Sequence, residues 1–397
     1  MDASTLSATR RSKVWLTPDS ANFETFKTQV ARRTEAADWP HAVQIEKNVP
    51  IYDGDAIRAV AGHADARQQL MAEWVEAFDS GPGVIVTKHA MPDTRVVDRA
   101  TEVFEAIIEE QKRSNSTSGD HFAKPGTNDR IWNAVEKHCL VDPANFVQYY
   151  ASHAVAMVAE AWLGAGYQMT AQVNRVNPGG GAQKPHRDYH LGFMSPEQMQ
   201  AWPGHIHRIS PVLTLQGAVA HCDMPLESGP TLFLPYSQTF FEGYLAFARP
   251  EFQEYFALNH IQLPLEKGDA AFFNPALMHG AGANRSANIH RMANLLQVSS
   301  AFGRAMESVD RARMVTELYP ALLAACQNGK LSRAEAANVI AASAEGYSFP
   351  TNLDRDPPVG GLAPKTQAAR MAEALDNRMD PAAFAEVIAA HEQRRQI

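Results

Sequence analysis

Apolar residues recur along this chain with two different periods, and the change of period divides it. In DAIRAVAGHADARQQLMAEWVEAFDSG, Ile57, Val60, Ala61, Ala64, Leu70 and Trp74 fall at roughly helical spacing before the break Ser80-Gly81-Pro82-Gly83. Residues 1–75 therefore read as helical and polar. GVIVTKHA (83–90) is a short β-rich run, a helix is expected from Asp93 to Lys112, and KRSNSTSGD (112–120) has the composition of a loop. From Tyr167 the period shortens: YQMTAQVNRVNP, SPVLTLQGAVAH, GPTLFLPYS, IQLPLEKGDAAFFNP and HRMANLLQVSSAF are strand-like runs parted by Gly, Pro and Asn. Short strands in succession, without alternating helices, predict an antiparallel barrel or sandwich. Beyond Gly303 the pattern is helical again, interrupted by FPTNLDRDPPVGGLAP, which reads as an exposed connection. The expected architecture is a β core near 165–302 flanked by helices from both termini.

Composition narrows the function classes. The chain has 397 residues, 45% hydrophobic and 20% charged, with a net charge of −8. An acidic balance argues against a general nucleic-acid binder, and no apolar stretch is long enough to span a membrane. Cys139, Cys222 and Cys326 are scattered and show no CxxC spacing. They suggest neither a disulfide framework nor a zinc knuckle, and a cytoplasmic setting is expected. The N-terminus has no apolar run of the signal-peptide kind. NPGGG (177–181) lacks the Lys-Ser/Thr and the helix of a phosphate loop and reads as a turn.

Candidate chemistry lies in three His-x-Asp triplets, where a chain with 15 His should hold roughly one by chance. His63-Ala64-Asp65 falls in a helical pattern, where positions i and i+2 face different sides and cannot share an ion. His221-Cys222-Asp223 ends a strand, so its two side chains share a face, but its neighbours offer no third ligand. His186-Arg187-Asp188 follows the turn NPGGGAQKP, again with both side chains on one face, and a third ligand is available at His279, with Arg291 opening the strand beyond it. Two imidazoles and a carboxylate make the facial set of non-haem Fe(II) oxygenases. A buried Arg can grip a dicarboxylate cosubstrate by paired charge-assisted bonds.

With those residues in view, PHRDYHLGF, ESGPTLFLPYSQ, KGDAAFFNPALMHGAG and the trailing Arg resemble the phytanoyl-CoA dioxygenase family of Fe(II)/2-oxoglutarate-dependent oxygenases. The likeness covers roughly residues 80–302. It implies a mainly β core, a cupin-like double-stranded β-helix or jelly roll. Residues 1–79 would be a helical extension packed on that core, 80–302 the catalytic core, and 303–397 a helical region. It implies Fe(II) held by His186, Asp188 and His279, with 2-oxoglutarate as cosubstrate and O2 as oxidant. The expected reaction is hydroxylation of an unactivated C–H bond of a medium-sized organic metabolite, with release of succinate and CO2. Desaturation or cyclisation on the same iron site is the alternative, as is a cupin-type metal protein that does not use 2-oxoglutarate. Asp188 argues against halogenation, whose enzymes in this superfamily lack the carboxylate.

The chain departs from the family at two points. The family's cosubstrate Arg position is occupied by His290, with Arg291 one residue later, and the hydroxyl of its HGSG segment is missing from His279-Gly280-Ala281-Gly282. Strand parity favours Arg291: it shares a face with Ala293, Leu295, Gln297 and Ser299, whereas His290 goes with Met292, Leu296 and Val298. Arg285, in the preceding turn, is the reserve. Gln172 and Asn174 are expected to contact the cosubstrate, Gln216 the cosubstrate or the substrate, and Tyr189 and His190 to orient the ligands. The segments 112–133 and 194–208, with Phe122, Lys124, Arg130, Trp132 and Trp202, are expected to cover the iron. The apolar stripes of VTELYPALLAACQ and AAFAEVIAAH require burial against the barrel or in a homodimer, and the homodimer is favoured. The partner is otherwise a small-molecule substrate, with no nucleic acid and no membrane.

Overall fold

A computed structural model describes residues 3–114 and 126–397. Eleven strands occur among the described residues: β1 (Gln44–Glu46), β2 (Val49–Asp53), β3 (Val84–Lys88), β4 (Asn128–Ile131), β5 (Gln168–Val176), β6 (Thr214–Ala220), β7 (Leu232–Phe233), β8 (Ile261–Gln262), β9 (Ala270–Phe273), β10 (His279–Gly280) and β11 (Arg291–Ser299). Eight form one sheet in the order β1-β2-β3-β9-β6-β11-β5-β4, and three form a second in the order β10-β7-β8. Neighbours run antiparallel except β2 and β3, so the large sheet is mixed.

The large sheet is buried on both faces, and the period-two alternation of its strands sorts two different interiors. Ile85, Leu215, Val219, Phe272, Leu296 and Val298 point one way and join a core shared with Trp74, Phe104, Phe146, Leu318 and Phe384. That core draws on helices from all three predicted regions, including Ala64–Asp79, Thr94–Arg113, Pro143–Tyr150, Arg311–Gln327 and Pro381–Arg395. The next residue along each strand points the other way: Val86, Gln216, Ala218, Ala271, Leu295 and Gln297 line a cavity. The small sheet contributes Phe233 to its wall and His279 to its mouth.

Three expectations need correction. Residues 1–79 are not purely helical, because β1 and β2 extend the main sheet and place Val49 and Ile51 in its packing. The segment 112–133 is not all loop: β4 pairs with β5 in register Arg130↔Asn174. The whole is not mainly β either. Helices Ala134–Val141, Pro143–Tyr150 and His153–Leu163, in a stretch with no strong apolar period, cover the back of the sheet. Phe122 and Lys124 lie outside the described residues. The apolar stripes that suggested a dimer are buried within the chain through Val315, Leu318, Leu322, Phe384 and Ile388, so they no longer call for a partner. No helix among the described residues is long and apolar enough to cross a membrane.

Candidate functional site

The turn NPGGG reverses the chain after β5, with Gly179 at φ +82, and starts an extended segment that runs beside the strand carrying His279. Gln183 N–H donates to Ala281 O (2.9 Å), His186 N–H to His279 O (2.9 Å), His279 N–H back to His186 O (3.0 Å), and Asp188 N–H to Pro275 O (2.9 Å). The reciprocal pair sets the two histidines side by side, with ring centroids 4.5 Å apart. Each imidazole is then turned by its own backbone. The Nδ1 of His186 lies 2.9 Å from Lys184 O and that of His279 lies 2.8 Å from Leu277 O. A carbonyl only accepts, so both Nδ1 atoms carry the proton and both Nε2 lone pairs are free. Those Nε2 atoms lie 3.8 and 3.6 Å from the Asp188 carboxylate oxygens, and one ligand atom from each residue falls within 4.8 Å of the others. Among the described residues this is the one such group of three His, Cys, Asp or Glu.

The electrostatics suit a cation. Burial pushes the Asp188 carboxyl up, but the two imidazoles beside it and the Gln216 amide outweigh it and hold the group below the usual carboxylate range. Burial and the neighbouring His279 lower His186, favouring the neutral form that can ligate. Two neutral nitrogens and one carboxylate on a single side fit a divalent iron with the opposite side left open.

The three groups face a cavity of about 620 Å³. Beyond them its wall is apolar, with Val86, Met224, Phe233, Leu263 and Leu265, and Arg291 stands in this region. Arg291 is buried, and its Nη1 donates to Ser228 O and Gly282 O, both at 3.1 Å. Burial lowers its pKa to about 10, which leaves it charged at neutral pH. No carboxylate among the described residues pairs with it. A buried guanidinium held only by backbone carbonyls, in the lining of the same cavity as the three candidate ligands, is suited to an anion supplied from outside.

Residues 60–293 match the model of a family described as phytanoyl-CoA dioxygenase (PhyH). The chain belongs to that family. It is accordingly an Fe(II)- and 2-oxoglutarate-dependent dioxygenase. Among solved structures it resembles the non-haem α-ketoglutarate-dependent epimerase SnoN from nogalamycin biosynthesis at 19% identity and TM-score 0.40, over 60% of this chain and 84% of that one. It also resembles the carbocyclase SnoK from the same biosynthesis at 18% identity and TM-score 0.41, over 59% and 86%. A search of curated proteins gives no match.

The other sequence candidates of this dioxygenase separate cleanly. His290 is exposed, its Nδ1 2.8 Å from Asn177 Oδ1. Arg285 is exposed in the turn and stands away from the cavity. His63 is exposed at the N-cap of a helix. His221 is buried on the helical side, between Thr101 Oγ1 (2.8 Å) and Tyr149 Oη (2.9 Å), and burial lowers its pKa to about 3. It is a core residue.

Gln172, Asn174 and Gln216 all line the cavity, with different partners. Gln172 Oε1 accepts from Arg130 Nη1 at 2.8 Å. Gln216 Nε2 donates to Asp188 Oδ2 and to Gln297 Oε1 (3.2 Å), so its expected role as a cosubstrate contact is replaced by one on the carboxylate ligand. Tyr189 and His190 bond away from the ligands, to His207 Nδ1 (3.0 Å) and Thr214 Oγ1 (2.8 Å), and pin the segment that follows Asp188.

Three contributors were missed by sequence reasoning. Arg187 turns to the opposite side from its neighbours and donates to Phe240 O (3.2 Å) and Ser237 O. Gly243 leaves room for it, since a Cβ there would overlap the guanidinium. Tyr244 Oη donates to Asp188 O (3.0 Å). Gln297 was readable in principle, because it shares parity with Arg291 on β11. Arg187 and Tyr244 left no local signal.

Proposed function

We propose that this dioxygenase hydroxylates an unactivated C–H bond of a medium-sized organic metabolite, with release of succinate and CO2. The reading rests on one observation: the His186–Asp188–His279 group and the buried Arg291 line the same cavity. In this reading His186, Asp188 and His279 hold the iron, whose redox chemistry, when bound, couples O2-driven decarboxylation of 2-oxoglutarate to oxidation of the substrate. Arg291 takes the 5-carboxylate, and Asn174, level with Ala293 in the β5–β11 register, adds an amide contact to the cosubstrate. Gln216 and Tyr244 hold Asp188 in place, and Arg187 anchors the segment that carries it. The apolar wall keeps water from the reacting carbon. Asp188 fills the carboxylate position, which favours hydroxyl transfer over halide transfer.

The two sheets are read as the walls of a double-stranded β-helix spanning 80–302, with 1–79 and 303–397 as its cladding. In this reading a small molecule enters past Phe193, which is exposed at the cavity lining beside Trp132 and Met194.

The anaerobic complex of protein, Fe(II) and 2-oxoglutarate tests the assignment, because chelation of the iron by the keto acid gives a weak visible charge-transfer band. His279→Ala should lose both the band and 2-oxoglutarate consumption. His221→Ala should keep both at a cost in stability of about 1–3 kcal/mol, the penalty for orphaning buried hydrogen-bond partners. The reverse pattern would move the metal site to His221.

A further inference from the structure

Gln216 sits in the middle of β6 with 2% of its surface exposed, beside Asp188 and facing the cavity. Its neighbours determine which way the amide points. A carboxylate oxygen accepts only, so the group that meets Asp188 Oδ2 must be the amino end, and the second hydrogen of that same nitrogen goes to Gln297 Oε1. Both donors are thereby used. Gln216 Oε1 is left as an obligate acceptor, buried and without a partner among the described residues. A buried carbonyl oxygen requires a hydrogen bond.

Few of the molecules that enter this cavity can supply one. 2-Oxoglutarate at neutral pH carries two carboxylates and a ketone and has no hydrogen to donate, and neither succinate nor O2 has one. Water can fill the position while the site waits for substrate. A substrate without a donor would displace that water and leave Oε1 bare, at the full cost of an unsatisfied buried acceptor.

We propose that the organic substrate carries an O–H or N–H donor that binds Gln216 Oε1, close to the carbon to be oxidised. The substrate class is therefore hydroxylated or amine-bearing rather than purely apolar, and Gln216 is its specificity-determining residue. This rests on the dioxygenase reading above and refines it.

The test uses anaerobic protein loaded with Fe(II) and 2-oxoglutarate. The probes are alcohols and phenols small enough for the cavity, each beside its methyl ether, and primary amines, each beside its trimethylammonium form. Calorimetry gives the dissociation constants, and 2-oxoglutarate turnover is followed after air is admitted. Compounds that bind should show a preference for the donor-bearing member of about ten- to a hundredfold. In Gln216→Met, which keeps the volume and removes the acceptor, that preference should fall to within about threefold. General damage to the site weakens both members of a pair alike and leaves the ratio unmoved, so the ratio isolates the contact. The wild-type comparison also stands without the variant, should the variant fail to fold.

Equal binding within the wild-type pairs would overturn the proposal. So would a preference that persists in Gln216→Met, or a panel in which nothing binds although the charge-transfer band is present. Absence of the band itself would instead count against the dioxygenase reading.

Discussion

Arg291 and His290 are neighbours with opposite fates. One is buried in the cavity wall, and the other is exposed against Asn177. If Arg291 holds the 5-carboxylate, Arg291→Ala should raise the apparent KM for 2-oxoglutarate by about one to two decades, because a carboxylate in an apolar pocket loses its charge-assisted partner. Iron affinity should hardly change, and Arg285→Ala and His290→Ala should leave the KM alone. Steady-state kinetics on the three variants checks this; control by His290 would place the strand one residue out of register. The distinction was legible beforehand because side-chain parity along a strand is a local property. The role of Gln216 was not. An amide on an apolar strand announces that it needs partners, but which atoms it meets depends on how β6 packs against the segment carrying Asp188.

At the scale of the element, β11 separates two interiors by alternation. Leu296 is fully buried against the helices, and Leu295, next to it, lines the cavity. Leu296→Ala should cost about 2–5 kcal/mol in urea unfolding, since the close-packed side cannot collapse around the lost atoms. Leu295→Ala should cost less, because its side chain already borders open space, and should shift which substrates are accepted. Equal destabilisation by both changes would mean that the cavity is closed in solution. The long strands β5, β6 and β11 were visible from their apolar runs, whereas β1, β2 and β4 were not. These are short, lie at or near the sheet edges and carry polar or Pro residues such as Gln44, Pro50 and Asp129. Their strand character comes from pairing with a sheet already present and not from their own composition.

At the scale of the whole molecule, His138 and His221 are two of the buried histidines kept neutral in the core. Burial lowers His138 to about 4 and His221 to about 3, from an ordinary value of 6.5. The unfolded chain therefore binds more protons than the folded one between pH 6.5 and about 4. Stability should fall as pH drops through that window, by up to about 1.4 kcal/mol per unit for each residue, and these two groups should have no effect above it. His138→Phe keeps a ring among Phe104, Phe146, Tyr149 and Tyr150 and removes one of the two protonations. Denaturant melts across the window should show its acid slope shallower by up to about 1.4 kcal/mol per unit; an unchanged slope would mean that His138 is reached by solvent.

The candidate site was legible in the sequence alone. Spacing placed His186 and Asp188 on one face, order supplied His279, and parity turned Arg291 inward, because all three depend on the fixed geometry of an extended chain. Tertiary structure decided what no local pattern carries. It joined strands near the N-terminus to a sheet formed mostly beyond residue 165, buried the C-terminal stripes within the chain, aimed Tyr244 and Gln216 at Asp188 and turned Arg187 to the backbone carbonyls of Ser237 and Phe240. Those are contacts between residues far apart in sequence, and they exist only once the sheets and helices have packed.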